Sequence, residues 1–277
     1  MSSPKISLVT CSYQQGRFLN ATIRSVLEQN YPALEYIVMD GGSTDESLAV
    51  IQRHAPNLAY WVSEADRGQT DALAKGFERC TGDLMGWLCS DDLLLPGALE
   101  TVGQFFVQNP TVDCVFGDAI WIDAVGSPIR PKKEMSWNRT VFLFDHNYLA
   151  QPSVFWRRSL YEKVGGLNRQ WNLAMDSDLW LRFAQHTRPQ HLAEYLSCMR
   201  YYPEQKTRSL KPAGRKEDEA LRQREAPVLS RLPRAPTRAL ARVARIVIKG
   251  LHGGYGTRIP EHMLPWLETM RTPPVGG

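Results

Sequence analysis

The stretch MGWLCSDDLLLPGAL, residues 85–99, runs from an apolar segment into two adjacent carboxylates, Asp91 and Asp92, then turns at Pro96-Gly97 toward a helix. Like charges side by side repel, and the end of a buried strand is a costly place for them unless something cationic holds them. Outward from this stretch, ISLVT (6–10), EYIVMD (35–40), AYWVSE (59–64) and LMGWLC (84–89) have the β-branched and aromatic content of strands. Helical spacing over 17–30, a segment ending near His54 after a cap-like Ser43-Thr44-Asp45, and TDALAKGFERC (70–80) separate them. This alternation predicts an α/β fold with a mainly parallel central sheet flanked by helices, and ligands bound at the carboxyl edge of the strands. Ser12, Tyr13, Asp40 and the Asp91-Asp92 pair should then face one crevice. Taken singly, each is also an ordinary loop residue, with Asp40 serving a turn and Ser43 an N-cap.

The 277 residues carry 43% hydrophobic and 22% charged side chains, an ordinary globular composition. No apolar run reaches the length of a membrane span, and MSSPKISLVTCSY enters a strand without a signal-peptide layout, so a cytoplasmic location is expected. Five scattered cysteines without a CxxC pair argue against a disulfide framework and a zinc site. Residues 1–205 hold 18 basic against 23 acidic side chains, while 206–258 hold 14 against 4. The body is therefore acidic and the tail basic, which disfavours nucleic acid as a partner of the body.

The first β-to-α turn, TCSYQQGRF, has one glycine where a dinucleotide fold needs G-x-G-x-x-G, and no P-loop is present. A nucleotide's phosphates would need another counter-charge. A divalent cation, Mn²⁺ or Mg²⁺, held by Asp91 and Asp92 is the economical candidate, because these ions bridge carboxylates to phosphates.

Three ordered blocks, VTCSYQQGRFLNATIRSVLEQNYPALEYIVMDGGSTDESL, YWVSEADRGQTDALAKGF and TGDLMGWLCSDDLLLPGAL, resemble the N-terminal half of family 2 glycosyltransferases, inverting nucleotide-sugar enzymes of GT-A fold. The match is close over about the first 110 residues and looser to around residue 208. The resemblance implies that Asp40 recognises the nucleotide base, that Ser12 packs around it, that Asp71 lies near the nucleotide, and that Ser90-Asp91-Asp92 is the metal motif. It implies a nucleoside diphosphate sugar donor, UDP first, and a glycan or lipid-linked hydroxyl as acceptor. The chain departs from the family at Cys11, Gln14, Ala74 and Cys89.

Inverting transfer needs a general base to take the acceptor's proton. In NLAMDSDLWLRFAQ (172–185), helical spacing turns Leu179, Leu181 or Arg182, and Phe183 to the core and leaves Asp176 at the N-terminal end, where the macrodipole favours a carboxylate. On chemistry alone Asp176 or Ser177 is equally an N-cap. The resemblance selects Asp176 as base, with Asp178 as runner-up and a candidate acceptor contact. Trp171, close in sequence, is the other candidate acceptor contact. Lys206, Thr207 and Arg208 could face the donor diphosphate from a closing loop.

The expected organisation is a catalytic domain over 1–210, with a nucleotide-sugar half to 110 and an acceptor half to 210, then a basic extension over 211–277. Within it, TRALARVARIVIKGLHGG sets Arg238, Arg242, Arg245 and Lys249 on one stripe and Leu240, Val243, Val247 and Leu251 on another. Residues 238–251 read as an element lying on an anionic membrane or as one packing its apolar stripe on the domain. Two other functions share these features: a sugar nucleotidyltransferase, for which TCSYQQGR is a poor phosphate loop, and a non-catalytic nucleotide-sugar or glycan-binding partner.

Overall fold

A computed structural model describes residues 3–256 and 258–272. The chain alternates through β1 (Ile6–Ser12), α1 (Gly16–Leu27), β2 (Leu34–Asp40), α2 (Ser47–His54), β3 (Tyr60–Ser63), α3 (Gln69–Phe77) and β4 (Leu84–Cys89). Helices cover both faces of β1 and β4, which is why these strands read as unbroken apolar runs. Ile6, Leu8, Leu84 and Leu88 pack with Leu19, Ile23 and Val26 of α1. On the opposite face Val9, Met85 and Trp87 pack with Leu73 and Phe77 of α3.

The order β3-β2-β1-β4 is parallel throughout. Its register sets Ser12 level with Asp40, Asp40 level with Ser63, and Cys11 level with Cys89. The carboxyl ends therefore share one edge, as the βαβ alternation requires.

Beyond Asp92 the pattern changes. There follow β5 (Leu93–Leu94), α4 (Ala98–Gln108), β6 (Cys114–Ile122), β7 (Pro128–Lys132), α5 (Arg139–Phe144), β8 (Val154–Arg157), α6 (Arg158–Lys163), α7 (Met175–Phe183) and β9 (Gln190–Arg200). β8 lies antiparallel between β4 and β6, β7 and β5 are antiparallel to β6 and β9, and only β6 with β9 is parallel. The expectation of a mainly parallel sheet thus holds for the first half, and the whole sheet is mixed. A parallel return needs a crossover of about a dozen residues or more. Residues 123–127 are too few, so β6 and β7 form a hairpin, with Gly126 at φ +93° and Asp123 Oδ1 accepting the N–H groups of Val125 and Ser127. The short β5 matters for function, because it pairs with the end of β9 and brings Arg200 against Asp91 and Asp92.

Four helices close the described chain: α8 (Lys206–Ser209), α9 (Lys211–Glu225), α10 (Arg234–Leu251) and α11 (Leu264–Thr269). α10 does not dock by its apolar stripe. Its inward face is Ala241, Arg245 and Ile248, with the Arg245 guanidinium 2.6 Å from the Asp145 carboxylate after α5. Leu240, Val243, Val247 and Leu251 face outward, at 72%, 58%, 54% and 82% exposure. Of the two readings of 238–251, packing of the apolar stripe on the domain is overturned. The expected basic stripe is also divided, since Arg245 and, at 3.9 Å, Arg238 turn to Asp145. Asp145 meets the helix through Arg245 and Arg238, while the Leu and Val stripe faces away from the body.

Candidate functional site

At the carboxyl edge, β2 ends in Asp40. Its Oδ1 accepts from Ser43 Oγ at 2.6 Å and its Oδ2 from Ser43 N at 2.9 Å and Ser63 Oγ at 2.6 Å. Asp40 therefore carries the turn bonds and orders two serines at the strand ends. A Cβ at Gly41 would stand 2.7 Å from Asp66 Oδ2, so that carboxylate would have to turn aside. Ser12 is buried beside this turn, and its hydroxyl has no hydrogen-bond partner among the described residues. Exposed Tyr13 follows it.

β4 ends in Cys89, and Asp91 and Asp92 occupy the turn into β5. Thr22 Oγ1 of α1 lies 2.7 Å from the Ser90 carbonyl and 2.9 Å from that of Asp92, fixing the turn from below. Asp92 Oδ1 accepts the Arg200 N–H at 2.8 Å, Asp91 O accepts Arg200 Nε at 2.8 Å, and Asp91 Oδ2 accepts the Tyr202 hydroxyl at 2.8 Å. Burial raises the Asp91 carboxyl above the usual carboxylate range. Burial and the neighbouring Asp91 charge push Asp92 well above it. Oxygens of both acids and Cys89 Sγ come within 4.8 Å of one another. A cluster whose protons are held on by burial and mutual repulsion suits a cation, and the two carboxylates supply the hard oxygens that Mn²⁺ and Mg²⁺ prefer.

Asp71 is engaged elsewhere. Arg67 N–H, Lys75 and Arg169 hold its carboxylate at 3.3, 3.3 and 3.2 Å. Gln69, two residues earlier, is the one that reaches the strand end: its Nε2 donates to Cys89 Sγ at 3.3 Å and its Oε1 accepts from Lys206 Nζ at 3.2 Å. Lys206 also donates to the backbone and side-chain oxygens of Asn172, each at 3.0 Å. Cys89, Gln69, Lys206 and Asn172 thus tie the acidic turn to the segment that opens α7. Of the other two residues expected with Lys206, Thr207 borders a separate cavity and Arg208 lies over the Tyr201 ring, 4.4 Å from its centroid.

Asp176 is the second residue of α7, and it does not cap the helix. Ala174 is the N-cap residue, and Glu217 of α9 accepts the N–H groups of Asn172, Leu173 and Ala174 at 3.1, 2.8 and 2.8 Å. The Asp176 carboxylate accepts only from Asn147 Nδ2 at 2.9 Å and Ser177 N at 2.7 Å. Burial pushes it up to about 6; the Ser177 N–H opposes this and Asp218 adds to it.

Two expected acceptor contacts are corrected. Asp178 is fully buried and held by Arg182 at 2.6 Å and Arg224 at 2.5 Å, so it is a core ion pair with no face toward an acceptor. Trp171 belongs to the hydrophobic core, with the Arg224 guanidinium 5.8 Å from its ring centroid. Helical spacing brought Asp178 to the core face, and there the two arginines satisfy it.

The family described as Glycosyl transferase family 2 matches residues 7–181. The chain belongs to this family. An uncharacterised glycosyltransferase of Mycobacterium tuberculosis is 30% identical over 189 residues, 66% of this chain and 70% of that protein. The O-antigen biosynthesis protein RfbC of Myxococcus xanthus is 31% identical over 189 residues, 66% of this chain and 15% of that larger protein. Among solved structures, S. aureus TarS 1–349 with UDP-GlcNAc is similar with a TM-score of 0.66 at 16% identity, over 96% of this chain and 79% of that one. The mannosyltransferase PcManGT of Pyrobaculum calidifontis, in complex with GDP-Man and Mn²⁺, gives 0.60 at 19% identity, over 98% and 85%. The family 2 glycosyltransferase described here shares their GT-A-like fold, a mixed sheet flanked by helices. It is a transferase by family.

Proposed function

We propose that this glycosyltransferase moves a sugar, with inversion, from a UDP-sugar to a hydroxyl of a glycan or lipid-linked acceptor in polysaccharide or glycolipid assembly. The observation that carries the reading is the arrangement of two acidic centres with different environments. One is the Asp91-Asp92 pair at the end of β4, the other the single raised carboxylate of Asp176 at the start of α7, linked through Gln69, Lys206 and Asn172. The UDP-GlcNAc of TarS and the biosynthetic role named for RfbC support the choice of donor and pathway class.

In this reading Asp40 and Ser12 receive the base, and Asp71 steadies the start of α3 beside the nucleotide. Mn²⁺ or Mg²⁺ held by Asp91 and Asp92 would neutralise the diphosphate as it leaves. Lys206 meets the same diphosphate from the opposite side. Asp176, with a proton affinity near neutrality, takes the acceptor hydroxyl's proton while that oxygen bonds to the anomeric carbon and the bond to the diphosphate breaks. Residues 1–210 carry these groups, and α9 completes them by capping α7.

In this reading the extension holds the enzyme on the cytoplasmic face of a membrane. No helix among the described residues is long and apolar enough to cross one. The outward row of Leu240, Val243, Val247 and Leu251 shares its helix with exposed Arg242, and exposed Arg231 and Arg234 stand at the helix start, the composition that inserts shallowly among anionic headgroups.

The test is calorimetry with UDP in Mn²⁺ and in EDTA, followed by UDP release from a panel of UDP-sugars with candidate acceptors. Binding that needs metal and is lost in an Asp91→Ala, Asp92→Ala double variant is expected. Equal affinity in both buffers would refute the metal-bridged donor site.

A further inference from the structure

A cavity of about 380 Å³ lies between α5, α7, α9 and the start of α10. It adjoins the proposed base directly. Asn147 and Ser177 line it, and Asn147 Nδ2 donates both to Asp176, at 2.9 Å, and to Ser177 Oγ, at 3.1 Å. The cavity has two kinds of wall. Phe142, Leu173, Leu181 and Leu221 make one apolar, and Lys211, Arg215 and Arg238 make the other cationic.

Two of these cations, Lys211 and Arg215, are not used up by the fold. Lys211 and Arg215 stand four residues apart on one face of α9, and neither makes an ion pair or a side-chain hydrogen bond among the described residues. The acids that line the same cavity are Asp145 and Asp218. Asp145 is already matched by Arg245, which does not line the cavity, at 2.6 Å, and Arg238 lies 3.9 Å from the same carboxylate, so three lining cations face two lining acids of which one is paired from outside. The cavity therefore holds an excess of positive charge beside an apolar wall. Its rim at Arg238 continues into the outward apolar row of α10.

We propose that this cavity binds the anionic group of the acceptor, and that the acceptor is a phosphate-bearing amphiphile whose chain lies along the apolar wall. This deepens the reading of Asp176 as base and rests on it. Lys211 and Arg215 grip the phosphate, the apolar wall takes the first part of the chain, and the hydroxyl to be glycosylated is brought toward Asp176 through the Asn147 side. A free inorganic phosphate would use the cations and leave the apolar wall bare. A neutral lipid would do the opposite.

Calorimetry on the full chain with farnesyl phosphate, farnesol and inorganic phosphate separates these cases. Farnesyl phosphate should bind the wild type at least about tenfold more tightly than a Lys211→Ala, Arg215→Ala double variant, the effect of losing a charge-assisted hydrogen bond. Arg215→Glu alone should lose more than Arg215→Ala, and farnesol should bind both proteins weakly and equally. Binding of UDP with Mn²⁺ should be the same in every variant, which shows that they are folded. Unchanged farnesyl phosphate binding in the double variant, farnesol binding as tightly as its phosphate, or inorganic phosphate competing at matching concentration would each overturn the proposal. Lys211- and Arg215-dependent binding of farnesyl phosphate by a protein that fails to bind UDP would instead sink the donor reading and leave the cavity's specificity standing.

Discussion

Replacing Asp176 by asparagine separates a catalytic carboxylate from a structural one, because activity and stability should move in opposite directions. The side chain keeps its shape but can no longer take a proton, so kcat should fall by about 10²- to 10⁴-fold. Burial raises the Asp176 carboxyl from 3.8 to about 6. At about 1.36 kcal/mol per pH unit, holding it ionised in the folded state costs up to about 3 kcal/mol. Its partial exposure reduces that to about 1–3 kcal/mol. Asparagine removes this cost, but its amide would meet the Asn147 donor at 2.9 Å, an offset of about 1 kcal/mol. The folded value lies above the unfolded one, so the unfolded chain loses its proton first and wild-type stability falls as pH rises from about 4 to about 6. The variant should therefore match or exceed the wild type in Tm at pH 7, and any advantage should vanish at pH 4. For the wild type, kcat/KM should fall about tenfold per pH unit below pH 6, whereas a carboxylate at its ordinary value would hold activity to about pH 4. Steady-state kinetics from pH 5 to 8 with melts at pH 4 and 7 make the measurement. A variant with kcat within tenfold of wild type, or a wild-type profile flat down to pH 5, would refute Asp176 as the base.

Asp40→Asn places an amide donor against the three groups that now donate to it, so donor KM should rise by about 5- to 150-fold (roughly 1–3 kcal/mol) with kcat little changed; steady-state kinetics decides, and an unchanged KM would remove Asp40 from the donor site. Asp178→Ala leaves Arg182 and Arg224 without their shared buried partner and should cost about 3–5 kcal/mol in urea denaturation; a loss below about 1 kcal/mol would show that the ion pair contributes little. Vesicles containing anionic lipid should sediment the protein at low salt, less so as salt rises, and a Leu240→Ser, Val247→Ser, Leu251→Ser variant should stay in solution. Failure of the wild type to sediment at low salt would mean that the outward face of α10 meets something other than a bilayer.

Local signals carried the first half of the fold. β4 spans Leu84–Cys89, the bounds that its apolar run and flanking turn residues imply, and the parallel ladder set Ser12, Asp40 and Cys89 on one edge because each connection is a helix long enough to cross over. The second half depends on pairings that no local pattern encodes. β8 enters between β4 and β6 from 65 or more residues away along the chain from β4, and β9 reaches Asp91 and Asp92 across more than 100. Arg200 and Tyr202 were therefore missed. The one trace was LSCMRYY, an apolar strand that ends in a cation and two aromatics. α10 shows the other limit. Its amphipathicity is plain from spacing, yet the face turned to the body carries Arg245, paired with Asp145, a residue outside the helix.

The two acids in MGWLCSDDLLLPGAL are matched in part by the chain itself. Arg200 gives its backbone N–H to Asp92 and its Nε to the Asp91 carbonyl, and spends Nη1 on the carbonyls of Asp123 and Ala124, so its single positive charge is fixed beside the two carboxyls. Burial and mutual repulsion still raise both carboxyls, so ionising the pair together is costly without a further cation. Lys206 reaches the turn through Gln69, which in turn bonds Cys89. The diphosphate of a sugar nucleotide brings two more negative charges into the same space, and these would stand uncompensated against the pair. A divalent cation held by the pair would supply the missing positive charge. Arg200 and Lys206 alone are too few to hold a diphosphate beside this pair, so donor binding should follow the metal closely.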